Sequence, residues 1–165
     1  VYNAGRENYA LDLMTATHDR SWWNIIAIGS TITLEAWDMK YKPNADWNHA
    51  WGAVPGNTIA RKMWGIVPKT PGASIVSIKP QLADLTSSEI KVPFLNGVVS
   101  ASYQKANARL QRYVFELPAN VSADLVLNAQ DGDSISLNGE SVDTSFGSIR
   151  LSPGVNTIEL RVNSF

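Results

Sequence analysis

The chain has 165 residues, a formal net charge of −1 and no cysteine. That length allows one domain with a real core or two small units packed together, and the charge leaves no electrostatic footprint for nucleic acid or an anionic membrane. The absence of cysteine excludes disulfides and thiolate metal sites, and it leaves the compartment open.

Taken in chain order, the opening VYNAGRENYA lacks the apolar run of a secretory signal. Val1 reads either as a processed start or as a residue inside a longer protein. Residues 9–14 place apolar side chains at near-helical spacing behind Glu7, which predicts a helix. Ser21 is an N-cap candidate for a second, short helix carrying Asn24, Ile25, Ile26 and Ile28. The apolar stretch from Trp22 to Leu34 is broken by Asn24, Gly29, Ser30, Thr31 and Thr33. It is no membrane span, which needs about 20 predominantly apolar residues. Lys42-Pro43-Asn44 signals a turn. A third helix is expected from about Asn48 to Trp64, with Ala50, Val54, Ile59 and Met63 on one face and Ile66 continuing it. Pro55 and Gly56 threaten a kink there, and Gly65 supplies a stop.

Composition then changes. All six tryptophans, both histidines and all three methionines lie within the first 64 residues. Charge does not change: residues 1–68 carry six basic and six acidic side chains, and residues 69–165 carry eight and nine. Two prolines and a glycine in Val67-Pro68-Lys69-Thr70-Pro71-Gly72 mark the join, which predicts a helical unit over 1–68 and a β unit over 69–165. Strands are expected at 74–79, 88–95, 98–105, 109–117, 123–128, 134–137, 148–151 and 157–162. Val99, Ala101 and Tyr103 alternate with polar neighbours, as do Tyr113, Phe115 and Leu117, and Asn138-Gly139 is a hairpin signal. About eight short strands argue for an antiparallel sandwich, so the fold class is α+β. Three short helices bearing six tryptophans do not close on themselves. Their aromatic surface must bury against something or stay as a patch, as the tail of a larger helical domain would.

The segment TITLEAWDMKYKPNADWNHAW, residues 31–51, concentrates the chemistry. Glycoside hydrolysis needs two carboxyl groups, flat apolar surface for a sugar's C–H groups and polar side chains for its hydroxyls. Glu35 beside Trp37, followed by Asp38, Trp47, Asn48, His49 and Trp51, supplies those types. On the residues alone two readings of Glu35 compete: a catalytic carboxylate, or a capping, hydrogen-bonded glutamate. A buried histidine tied to a carbonyl competes with a ligand contact for His49, and core packing competes with a sugar platform for the tryptophans.

Three elements come in a recognisable order: Thr31-x-x-x-Glu35-x-Trp37, the pair Asn48-His49 opening WNHAWGAVPGNTIARKMWGI, and the strand SIVSIKPQL after the Pro-Gly link. Together with Ser21-Trp22 ahead of the glutamate, they resemble the C-terminal portion of bacterial α-L-rhamnosidases, tightly over residues 20–82 and loosely beyond. The resemblance implies the last helices of an (α/α)6 barrel followed by a C-terminal β-sandwich, in an enzyme that removes terminal α-L-rhamnose with inversion. It implies that Glu35 is the general base, and that His49 and Trp37 meet a rhamnose-containing glycan. Leu34 and Ala36 depart from the aromatic and arginine that many members carry there, which bears on sugar preference. The general acid is expected in the upstream barrel of the same polypeptide, since Glu7, Asp12 and Asp19 read as helix-start or solvated residues. The chain alone is then expected to be inert.

Other classes are weighed beside this one. Phe94, Tyr103, Tyr113, Phe115, Phe146 and Phe165 could make the sandwich a carbohydrate-binding module, but their alternation favours core packing, with the sandwich as a structural buttress. His18-Asp19 and Asp46-x-x-His49 are the only close His/carboxylate pairs and neither makes a three-ligand set, so no metal and no cofactor are expected. Neither Gly-x-Gly-x-x-Gly nor a Walker lysine loop occurs.

Overall fold

A computed structural model describes residues 1–143 and 147–163; Phe146 and Phe165 lie outside the described residues. The chain divides into two compact units, Val1–Met63 and Trp64–Phe165. No helix among the described residues is long and apolar enough to cross a membrane.

The first unit is helical and irregular. Helix α1 covers Glu7–Thr15, with Glu7 in its first turn where a carboxylate complements the helix dipole. Helix α2 covers Trp22–Ala27, and the Ser21 hydroxyl caps it by accepting the Asn24 N–H at 3.2 Å. Residues 28–49 carry no helix or strand. The third predicted helix forms in pieces: a 3-10 turn at Ala50–Ala53, α3 at Val54–Thr58, then a π turn at Ile59–Met63. The expectation of one regular helix from Asn48 is thus corrected. Pro55 has no N–H to donate, so it fits the first turn of a helix and not the middle of one, and α3 starts only at Val54.

The second unit is built of strands: β1 (Val67–Pro68), β2 (Ile75–Ile78), β3 (Ser87–Phe94), β4 (Gly97–Asn107), β5 (Leu110–Leu117), β6 (Ser122–Leu125), β7 (Ser134–Leu137), β8 (Glu140–Ser141), β9 (Ile149–Leu151) and β10 (Gly154–Arg161). They form a four-stranded sheet in the order β1-β2-β6-β9 and a six-stranded sheet in the order β3-β4-β5-β10-β7-β8. The eight expected strands are all present, and the additional two, β1 and β8, are two-residue pairings that no side-chain period could reveal. One pairing departs from the antiparallel expectation. β2 and β6 run parallel, with Val76 opposite Ala123. Between them the chain makes the β3-β4-β5 meander, a connection long enough to return in the same direction. Asn138 and Gly139 both have positive φ, 52° and 88°, as a two-residue hairpin turn between β7 and β8 requires.

The core follows from the alternation. Val99, Phe115, Leu151, Ile158, Val76 and Leu125 are almost wholly buried. Trp64 joins them, edge-on to Phe115 at 6.5 Å, its indole N–H donating to the Ser88 hydroxyl at 3.1 Å. That anchor explains why the second unit begins at Trp64, ahead of the Pro-Gly link. Tyr103, Tyr113 and Phe115 are core residues, and burial pushes both tyrosine hydroxyls above their ordinary pKa. Gly65 turns the chain in with φ 65°, and a Cβ there would lie 2.3 Å from the Lys79 carbonyl oxygen.

Candidate active site

Glu35 stands in the irregular stretch between α2 and the 3-10 turn, so its position depends on loop closure. Two rungs close the loop. His49 N–H donates to Thr33 C=O at 2.9 Å and the Thr33 hydroxyl donates to His49 C=O at 2.8 Å. Glu35 N–H donates to Asp46 C=O at 3.0 Å, and Asp46 N–H returns a bond to Glu35 Oε2 at 3.2 Å. Leu34 and Ala45 are buried beside these rungs and hold the loop to the unit. Gly52 permits the approach, since a Cβ there would lie 2.6 Å from the Leu34 carbonyl oxygen; the Gly52 carbonyl accepts Trp22 Nε1–H at 2.8 Å.

The loop brings together residues far apart in sequence. Lys42 donates from Nζ to Glu35 Oε1. His49 Nδ1 lies 3.6 Å from Asp46 Oδ2, and its ring tilts against Trp51 with centroids 4.6 Å apart. The Lys42 ammonium, followed by the Asp46 amide, holds the Glu35 carboxyl below its ordinary pKa, and the charge of His49 acts in the same direction. A carboxyl group so held is ionised at neutral pH. It can accept a proton from water and is poorly suited to donate one.

Trp37 is placed differently. It is half-buried and edge-on to Trp22, with centroids 4.9 Å apart at 87°, and its carbonyl accepts the Asn24 amide at 2.8 Å. It ties the Glu35 segment to α2. Glu35 of the motif and His49 of the Asn-His pair therefore meet at one place, while sequence reasoning missed Lys42 as a partner of the carboxylate. A charged residue beside a proline marks the turn, but nothing local says which way the turn folds.

One expectation needs correction. Glu35, Asp46 and His49 bring one potential ligand atom each to within 4.8 Å of one another, a three-group set that the sequence did not reveal because Glu35 is eleven positions from Asp46. Such a set could hold a cation, and the cationic group that the structure places on Glu35 is the Lys42 ammonium, at Oε1. The arrangement is that of a charge-compensated carboxylate. Its neighbours on the protein side are an ammonium, a backbone amide and an imidazole, the equipment of acid–base chemistry.

Two family models match the chain, the bacterial alpha-L-rhamnosidase 6 hairpin glycosidase domain over residues 1–63 and the bacterial alpha-L-rhamnosidase C-terminal domain over residues 65–142. The chain belongs to the bacterial α-L-rhamnosidase family. Solved α-L-rhamnosidases share its fold. The Dictyoglumus thermophilum enzyme matches with a TM-score of 0.81 at 16% identity, over 96% of this chain and 19% of that one. The Streptomyces avermitilis enzyme, solved with L-rhamnose, matches at 0.76 and 24% identity, over 95% of this chain and 16% of its own. The Aspergillus terreus enzyme matches at 0.68 and 21% identity, over 91% and 16%. A comparison with curated proteins found no match. The chain spans less than a fifth of the length of these solved rhamnosidases. The C-terminal family model stops at residue 142, yet β9 and β10 follow it, β9 at the edge of the four-stranded sheet and β10 between β5 and β7 in the six-stranded one.

Proposed function

We propose that the chain supplies the base side of an inverting α-L-rhamnosidase, with residues 1–68 as the closing helices of an (α/α)6 barrel and residues 69–165 as the C-terminal sandwich. The observation that carries this reading is the Glu35 carboxylate, held by Lys42 and the Asp46 amide in one cluster with His49. In the proposed step Glu35 takes a proton from water as the water oxygen attacks the anomeric carbon. The bond to the leaving oxygen breaks on the opposite face, and a general acid from another part of the enclosing polypeptide protonates that oxygen. His49 bonds a sugar hydroxyl, and Trp37 offers an indole to the C–H face of the rhamnose. No metal enters this scheme, because the carboxylate activates the water directly.

The test is steady-state hydrolysis of an aryl α-L-rhamnoside. In the enclosing enzyme Glu35→Gln is expected to lower kcat by about 10²–10⁴-fold while sugar binding persists. The 165-residue chain alone is expected to give no turnover. A near-normal rate for Glu35→Gln removes Glu35 from the mechanism.

A further inference from the structure

Both oxygens of Glu35 are gripped, and both grips come from residues outside the Thr-x-x-x-Glu-x-Trp motif. Oε2 accepts the Asp46 amide at 3.2 Å, while Oε1 accepts Lys42 Nζ. A carboxylate oxygen has two acceptor sites, so each keeps one for water. The Glu35 side chain is mostly covered and that of Lys42 about half exposed. The ammonium therefore reaches the carboxylate from the rim of the cluster.

Lys42 arrives there because the turn before it is clamped. The Asp19 carboxylate accepts Tyr41 Oη–H and Lys40 Nζ–H, the latter at 2.9 Å. The Arg20 guanidinium lies 4.6 Å from the centre of the Tyr41 ring. Asp38 shapes the turn, its carbonyl accepting Tyr41 N–H at 3.1 Å and its side chain accepting Lys40 N–H at 3.2 Å. On the other side Ala45 N–H donates to Lys42 C=O at 2.9 Å, which returns the chain to Asp46 and so to Glu35. Lys42 is thus fixed between two turns inside a loop that Glu35 itself closes.

We propose that Lys42 is the positioning residue of Glu35: its ammonium, delivered by the clamped turn, fixes the plane of the carboxylate and so the direction from which an oxygen of Glu35 meets the proton of water. This rests on the reading of Glu35 as general base. Lys42 touches neither sugar nor water in this role and acts through Glu35. The other charged or titratable groups facing Glu35 are Asp46 and His49. Because those two oppose each other in sign when His49 is protonated, the lysine is the one permanent counter-charge of the three.

Two measurements test this. In the 165-residue chain, carboxyl-carbon NMR follows the titration of Glu35 in the wild type, Lys42→Met and Lys42→Arg. The Glu35 midpoint is expected to rise in Lys42→Met and to stay low in Lys42→Arg, with the amide spectra superimposable elsewhere. In the enclosing enzyme Lys42→Met is expected to lower kcat by roughly 10- to 100-fold with KM little changed. The acid limb of its pH–rate profile moves upward, and Lys42→Arg recovers most of the rate. An unmoved Glu35 midpoint in Lys42→Met overturns the proposal whatever the activity. If the midpoint moves but Glu35→Gln remains fully active, the base reading fails and the catalytic meaning of Lys42 fails with it.

Discussion

The two units deploy their apolar residues in opposite ways. In Trp64–Phe165 the large apolar side chains close on one another: Trp64, Phe115, Ile158 and Leu151 are almost wholly buried. The exposed large apolar residues described there, Leu95, Val98, Val114 and Val155, include no aromatic. In Val1–Met63 the pattern inverts, with Trp51 66%, Ile26 62% and Trp23 54% exposed. Sheets of non-local strand pairs can enclose a core by themselves. Helices of nine, six and five residues cannot, because isolated helices under ~12–15 residues are marginal in water. The contrast separates a half that encloses its large apolar side chains from a half that leaves several of them in water.

Paired substitutions can break that comparison. Phe115→Ala removes a fully buried ring and its edge contact with Trp64, and is expected to cost about 3–5 kcal/mol. Trp51→Ala deletes a larger side chain that is mostly in water, and should change stability by less than about 0.5 kcal/mol. Urea unfolding of the 165-residue chain, followed by far-UV circular dichroism, compares the two. If Trp51→Ala proves as damaging as Phe115→Ala, the first unit has a core of its own and the contrast collapses.

Much of the second unit was legible because its physics is local and periodic. Alternation at Val99, Ala101 and Tyr103 places those side chains on the buried face of β4, and Asn138-Gly139 can take the two positive φ values of its turn. Parallel pairing of β2 with β6 was not legible, since direction depends on a connection of more than forty residues. In the first unit the Ser21 cap is legible in the sequence, and the candidate cluster is half legible. Glu35 and His49 announce themselves through their motifs. The link from Lys42 to Glu35 is set by how the loop closes and has no signature in spacing. For the same reason Asp46-x-x-His49 looked like an isolated pair.

The smallest expected effect concerns the clamp that delivers Lys42, and it asks whether the first unit has any local rigidity of its own. Hydrogen bonds from Tyr41 and then Lys40 hold the Asp19 carboxyl down to about 2. The same contact raises the Lys40 ammonium pKa, so the two partners agree in direction. Because the folded-state pKa of Asp19 lies below its unfolded value near 3.8, the clamp's contribution is complete above about pH 4. It is lost as pH falls through about 2. The carboxylate is solvent-exposed and the contribution to global stability is correspondingly small, so the useful readout is local. The Tyr41 ring resonances should shift as Asp19 titrates, at a pH well below that of an ordinary aspartate, and Asp19→Asn should abolish that transition. A Tyr41 transition near pH 4 in the wild type would mean that Asp19 is not clamped. The turn bearing Lys42 would then be held only by Asp38 and the Glu35–Asp46 closure, and the first unit would be looser even where its side chains are paired.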